Sequence, residues 1–294
     1  MTEHVGTGPD GQHLLGFLCS TGVLAMMELR WPERRPRMRW ELRECWRPVW
    51  LLDGDTSDDE LVSTLQEQLM ARRTAPEFTL LGDKLPALTA EFADFARLAA
   101  KRAIPADRIM ADFAAAFGCE VASGAEMQDT ALRTTRAHEF LPSIRKIHEV
   151  TVEQVREAIF GPWLYADKGP TLRYDPIDDR RGALRAENPS DVDILSVRAA
   201  NALASEALRF FPCAPAARLA TTGFSADGRE VYFTWPIWSV SMVPEVLRSL
   251  LNLAELAEEL PNHKQLRAMG VAEVFRTFRV KNGRYRNFTP AAPV

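Results

Sequence analysis

The chain has 294 residues, 46% of them hydrophobic, enough to bury a core as one large domain or two modest ones. Its 36 lysines and arginines against 40 aspartates and glutamates give a formal net charge of -4, which excludes a general polyanion binder and confines any nucleic-acid role to a local patch. The four cysteines, Cys19, Cys45, Cys119 and Cys213, contain no CxxC pair, so the sequence indicates neither a zinc site nor a secreted disulfide framework, and a reduced cytoplasmic compartment is expected.

The first strong signal is the apolar run from His13 to Arg30. Leu14, Leu15, Leu18, Leu24, Met26, Met27 and Leu29 fall on more than one helical face, which predicts a helix wrapped on most sides. Gly16 and Gly22 weaken that helix unless a neighbouring backbone comes close, so close packing is expected at both. Between its polar ends the run has 16 residues, Leu14–Leu29, and is punctuated by Gly16, Ser20, Thr21 and Gly22, so it falls short of the roughly 18 residues of a membrane span, and no basic region precedes it as in a signal peptide.

After Pro32 and Pro36, the segment Arg37–Arg43 alternates with a period of two, placing Met38, Trp40 and Leu42 inward. Trp46–Leu52 reads as its hairpin partner. Acidic turn residues from Asp53 then open a helix over Glu60–Ala71.

Packing helices are expected around Phe92, Phe95, Ala96 and Ala99 and from Pro105 to Phe117, followed by a loop over Gly118–Asp129. His138–Phe160 reads as helix interrupted near Val150, where Thr151 and Gln154 have the spacing of a capping box. The stretch from Gly161 to Asp193, dense in Pro, Gly and Asp, is expected to be a long ordered loop with one short strand.

Beyond it come a helix over Ser196–Phe211, strands around Ala217–Phe224 and Glu230–Trp235 joined at Asp227–Gly228, and a helix over Pro244–Leu260. Two strands around Asn282–Gly283 end the chain. The fold class is therefore α+β: antiparallel hairpins packed with helices, mostly helical in the middle. Regions 1–160, with the buried helix and a basic hairpin, and 161–294 make two α+β regions or one continuous domain.

No catalytic constellation emerges, and the chain is expected not to be an enzyme. His138-Glu139 lacks the second histidine of a zinc-protease helix, and His148 is wrongly spaced to supply it. Gly6 and Gly8 precede no phosphate-cradling lysine motif. Asp175, Asp178, Asp179, Asp191 and Asp193 have oxygens for a divalent ion but are the residue type of solvated turns and caps. No cofactor and no metal is expected.

Charge is more informative. Arg30, Arg34, Arg35, Arg37, Arg39, Arg43 and Arg47 face only Glu33, Glu41 and Glu44, a local charge of +4, and Arg276, Arg279, Lys281, Arg284 and Arg286 face no acid, a local charge of +5. The rest of the chain then carries -13. Guanidinium groups bind phosphate oxygens bidentately, so Arg34, Arg35, Arg37, Arg39, Arg43 and Arg47, with the five C-terminal cations, are the candidate nucleic-acid contacts. Trp31, Trp40, Tyr285 and Phe288 are candidates for base stacking, and the two hairpins are expected to share one sheet. Alternatively, the arginines meet an acidic protein partner without nucleic acid, with Phe233–Ser239 as an exposed docking patch.

Several segments carry a resemblance: Leu15–Leu29 (LGFLCSTGVLAMMEL), Tyr174–Ser190, Val197–Pro215, the Thr221-TGF and Phe233-TWPIW pair, and Phe275–Pro293. In this order they resemble accessory and large-subunit-like proteins of type I-U (I-G) CRISPR systems. The resemblance implies a non-catalytic subunit of an RNA-guided antiviral effector complex, in contact with other effector subunits, with crRNA or target DNA, or with the recruited helicase-nuclease. It supplies no catalytic residues.

Overall fold

The computed structural model describes residues 1–104, 107–120, 124–178, 195–216, 219–227 and 230–294. In chain order the main elements begin with β1 (Thr2–Val5), α1 (Leu14–Arg30), β2 (Arg37–Leu42), β3 (Trp46–Leu52), α2 (Asp58–Arg72), α3 (Thr89–Ala103) and α4 (Ile109–Phe117). There follow α5 (Phe140–Ile147), α6 (Val152–Phe160), α7 (Arg198–Glu206), β4 (Phe224–Asp227), β5 (Glu230–Trp238), α8 (Pro244–Leu251), β6 (Val271–Asn282), β7 (Tyr285–Phe288) and β8 (Ala292–Pro293). The class is α+β.

Helix α1 is the central pillar. Every residue from Leu14 to Met27 is buried, because large apolar side chains project from all of its faces. A Cβ on Gly22 would overlap the carbonyl of Leu203 in α7, and one on Gly16 would overlap the carbonyl of Asp10, so both glycines permit close backbone approach. The apolar cluster around α1 runs from Leu14 to Phe288 and therefore crosses position 160 without a break.

The first sheet has the order β1-β3-β2. Its outer strand β1, with His4 buried and its Nδ1 2.6 Å from Asp58 Oδ1, is an element the sequence pattern did not reveal. Met38 and Trp40 point into the core as expected, but Leu42 is 65% exposed, because it lies at the end of β2 opposite Trp46, where the hairpin overhangs the core.

The second sheet has the order β4-β5-β6-β7, with β8 beside β6. Phe233, Trp235, Ile237 and Trp238 of β5 are fully buried, which corrects the reading of this segment as an exposed docking patch. The strand is internal to the sheet, and its aromatic rings pack on Phe17, Phe211 and Phe275. Trp235 Nε1 donates to the Gly11 carbonyl at 2.9 Å and Trp238 Nε1 to the Met38 carbonyl at 2.8 Å, so both indoles keep a partner in the core.

Met38 and Met242 exchange backbone hydrogen bonds at 2.9 Å, and this bridge joins the edge of β2 to the segment just past β5. The two basic hairpins thus belong to separate sheets and not to one. The bridge lies beside the start of β6, which pairs Val271 with Trp238, whereas the basic turn lies at the strand's far end. At 12 residues, β6 extends about 40 Å.

Several local expectations hold. Thr151 and Gln154 form both bonds of the capping box, and Ser57 Oγ accepts from Glu60 N at the start of α2. The helix expected to reach Leu260 ends at Leu251, where the Asn252 side chain donates back to the Arg248 carbonyl. At the last hairpin, Asn282 pairs with Tyr285, so the turn residues are Gly283 and Arg284, with Gly283 at φ +60. Glycine at the first turn position suits a II′ turn, one residue later than an Asn-Gly turn. Pro105, where a helix was expected to start, and Gly228 of the expected Asp227–Gly228 turn lie outside the described residues.

A buried ionic network links the helices. Arg72 Nε meets Glu206 Oε1 at 2.5 Å and its Nη1 meets Glu77 Oε1 at 2.6 Å. His148 Nε2 lies 2.8 Å from Ser205 Oγ, and Arg209 and Arg248 share Glu28. With these partners and its burial, His148 is structural, and its pKa is pushed down to about 3, first by loss of hydration and then by the Arg72 charge.

Candidate nucleic-acid interface

The N-terminal hairpin presents its arginines already engaged. Arg34 donates to the carbonyls of Asp53 and Asp55 and to Thr56 Oγ1, fastening the turn before α2. Arg37 pairs with Asp53, Arg39 bridges Glu3 and Glu41, and Arg43 takes the other oxygen of Glu41. Those two guanidinium groups, Arg43 first, hold the Glu41 carboxyl below its ordinary pKa. Arg47 donates to the Pro9 carbonyl at 3.0 Å. Arg35 is exposed, in a left-handed conformation at φ 48.

The C-terminal hairpin is arranged differently along its length. Arg276, 7% exposed, donates to Thr234 Oγ1 and the carbonyls of Glu258 and Glu259 and lies over the Tyr232 ring, so it is a structural brace. Arg279 donates to the Ala131 carbonyl at 2.8 Å, and Arg286 to the Arg133 carbonyl at 3.3 Å. Arg286 N also donates to the Thr134 carbonyl at 2.9 Å, which pins β7 against the segment 130–138. Near the turn, Lys281 and Arg284 are exposed and form no ion pair with any described residue.

Between the hairpin and that segment opens a cleft of about 380 Å³, lined chiefly by Arg133, Arg136, Lys281, Arg284, Tyr285 and Arg286, with His138 at its side. Among the described residues, no carboxylate lines it. Asp129 pairs with Arg133 and Glu139 with Arg136 among the described residues. Burial pushes the Arg279 pKa down to about 10, and the neighbouring Arg286 charge pushes the same way. Burial and then the Arg133 charge also lower the Arg286 pKa. A bound anion would offset both the lost hydration and the neighbouring positive charge at such cations.

The aromatic groups do not form a stacking platform. Trp31, Trp40 and Phe288 are buried, and the Tyr285 ring is covered by guanidinium groups, Arg173 at 3.9 Å and Arg136 at 5.2 Å from its centroid. Tyr285 positions two cations by cation–π contact. Arg173 also donates from Nη1 to the buried Asn287 Oδ1 at 3.2 Å.

Arg133, Arg136 and Arg173 are site residues that sequence reasoning missed. The Arg133–His138 stretch is basic, but nothing in its spacing says that it meets the last hairpin. Of the loop aspartates, Asp175 accepts from Tyr165 Oη and Ile177 N, and Asp178 Oδ2 accepts from Thr171 Oγ1, whereas Asp179, Asp191 and Asp193 lie outside the described residues. Among the described residues no group of three or more His, Cys, Asp or Glu side chains is placed to hold a metal ion, and no helix is long and apolar enough to cross a membrane.

No protein-family model matches the chain, and no curated protein matches it.

Proposed function

We propose that this protein is a non-catalytic, cytoplasmic subunit of a type I CRISPR RNA-guided effector complex that holds a nucleic-acid backbone in the cleft beneath its C-terminal hairpin. The observation that carries the binding part is the convergence of Arg133, Arg136, Lys281, Arg284 and Arg286 in one open cleft that no carboxylate of the described residues lines. Phosphate oxygens would meet guanidinium and ammonium donors there, and that contact is independent of sequence. With the Tyr285 ring covered, the cleft reads charge and shape and not base identity.

The CRISPR part rests on the resemblance of the ordered segments from Leu15 to Pro293. In that setting the partners are other effector subunits, crRNA or target DNA, and the helicase-nuclease. In such complexes base pairing reads sequence, while protein subunits grip backbones.

A second reading has a specific observation behind it: the same cations, without a free aromatic face, would also accept carboxylates of an acidic protein segment. Purification of the chain from its native source, followed by nuclease treatment of what accompanies it, separates the two. The proposal expects nuclease-sensitive nucleic acid and CRISPR effector subunits. Recovery with an acidic protein and no nucleic acid would favour the adaptor.

A further inference from the structure

Two concave surfaces lie along one stripe of the segment that leads into α5. The cleft under the C-terminal hairpin takes Ala137 and His138 from the start of that stripe. A second groove, of about 570 Å³, takes Pro142, Arg145, Lys146 and Glu149 farther along it, with Arg73 and Thr74 from the end of α2 opposite. Glu139 N donates to the Arg136 carbonyl and Ser143 N to the Glu139 carbonyl, so the backbone is already turning helically between the two. Within α5, Pro142, Arg145 and Lys146 share one face, with His138 two residues before its start and Glu149 two residues past its end. At a rise of 1.5 Å per residue the stripe covers about 16 Å. That length matches about five phosphates of a helical strand, which are spaced about 3.4 Å along the axis.

The groove is basic, but less so than the cleft. Arg145 is tied to Asp83 and to the carbonyls of Phe78 and Gly82. Arg73 meets Glu149 at 3.2 Å and keeps 38% exposure of its side chain. Lys146 is exposed and pairs with no acid among the described residues.

We infer that a polyanion seated in the cleft continues along this stripe into the groove, where Lys146 and Arg73 form a second phosphate contact. The inference rests on the reading of the cleft as a backbone site. It adds a direction of travel across the molecule and a minimum ligand length.

The test uses the full chain and fluorescent oligouridylates of about 3 and about 15 nucleotides, the shorter too short to span the stripe, with affinity measured across a salt series. Each lysine or arginine contact to phosphate contributes about 1 to the slope of log affinity against log salt. The long oligomer is expected to show a slope steeper by about 2 than the short one. The double variant Lys146→Ala, Arg73→Ala should remove that excess and leave affinity for the short oligomer unchanged. If the excess persists in this variant, the extension into the groove is overturned while the cleft stands. If Lys281→Ala with Arg284→Ala leaves the binding of both oligomers unchanged, the cleft reading fails and takes the extension with it.

Discussion

The guanidinium of Arg173 lies 3.9 Å from the centroid of the Tyr285 ring, and Arg136 approaches the same ring at 5.2 Å. One aromatic side chain on β7 thus gathers cations from two other parts of the chain beside the turn that carries Lys281 and Arg284. The ring organises charge, and its replacement should act on binding through the arginines.

Tyr285→Phe keeps the ring and should retain polynucleotide affinity. Tyr285→Ala removes it and should weaken binding and lower stability by about 1 kcal/mol, the scale of partly desolvated cation–π contacts. Anisotropy titration and urea denaturation of both variants check this. Equal affinity for all three proteins would deny the ring its positioning role.

Gly22→Ala should be strongly destabilising, because the added methyl group meets the Leu203 backbone, which cannot swing aside as a flexible side chain would. Overpacking of this kind costs about 1–3 kcal/mol or more, read as a lower urea midpoint with an unchanged slope.

Arg72→Ala leaves Glu77 and Glu206 buried without their cation and should cost about 3–5 kcal/mol. Replacing all three residues by apolar residues of similar volume should recover most of that loss, since the lone charges cause the damage. Denaturation midpoints of the single and triple variants compare the two cases.

His148 gives a pH signature. The unfolded histidine takes a proton below about 6.5, whereas the folded one stays neutral down to about 3, so in that window the unfolded state binds more protons. Stability contributed by the neutral, buried ring is fully present above pH 6.5 and is lost as pH falls, by up to about 1.4 kcal/mol per pH unit. Urea unfolding between pH 7 and 5 should show a steeper loss in the native protein than in His148→Gln. Parallel curves would rule out the buried neutral histidine as the source.

The hairpins were legible because period-two alternation at Arg37–Arg43 and the glycine-containing turn at Gly283 are local signals. The buried α1 was legible from leucines and methionines on several faces, and its two glycines from the need to excuse their poor helicity. Burial of β5 was not, because a continuous run such as Phe233–Trp238 reads alike as a surface patch or as an internal strand until its neighbours are known. Only part of the candidate site could be read: Lys281 and Arg284 stand out by charge, but their companions Arg133, Arg136 and Arg173 are assembled by tertiary contact. For the N-terminal arginines, composition counted charge correctly but could not show that Glu3 and Asp53, from outside the segment, would lie against them.

Salt titration of a labelled oligouridylate with the native chain and with the Lys281→Ala, Arg284→Ala double variant decides whether the C-terminal cleft is the backbone site. Both residues are exposed and unpaired by any acid among the described residues, so the variant should fold normally. The predicted result is weaker binding with a salt slope lower by about 2. An unchanged affinity and slope would contradict the cleft as the place where this protein meets nucleic acid.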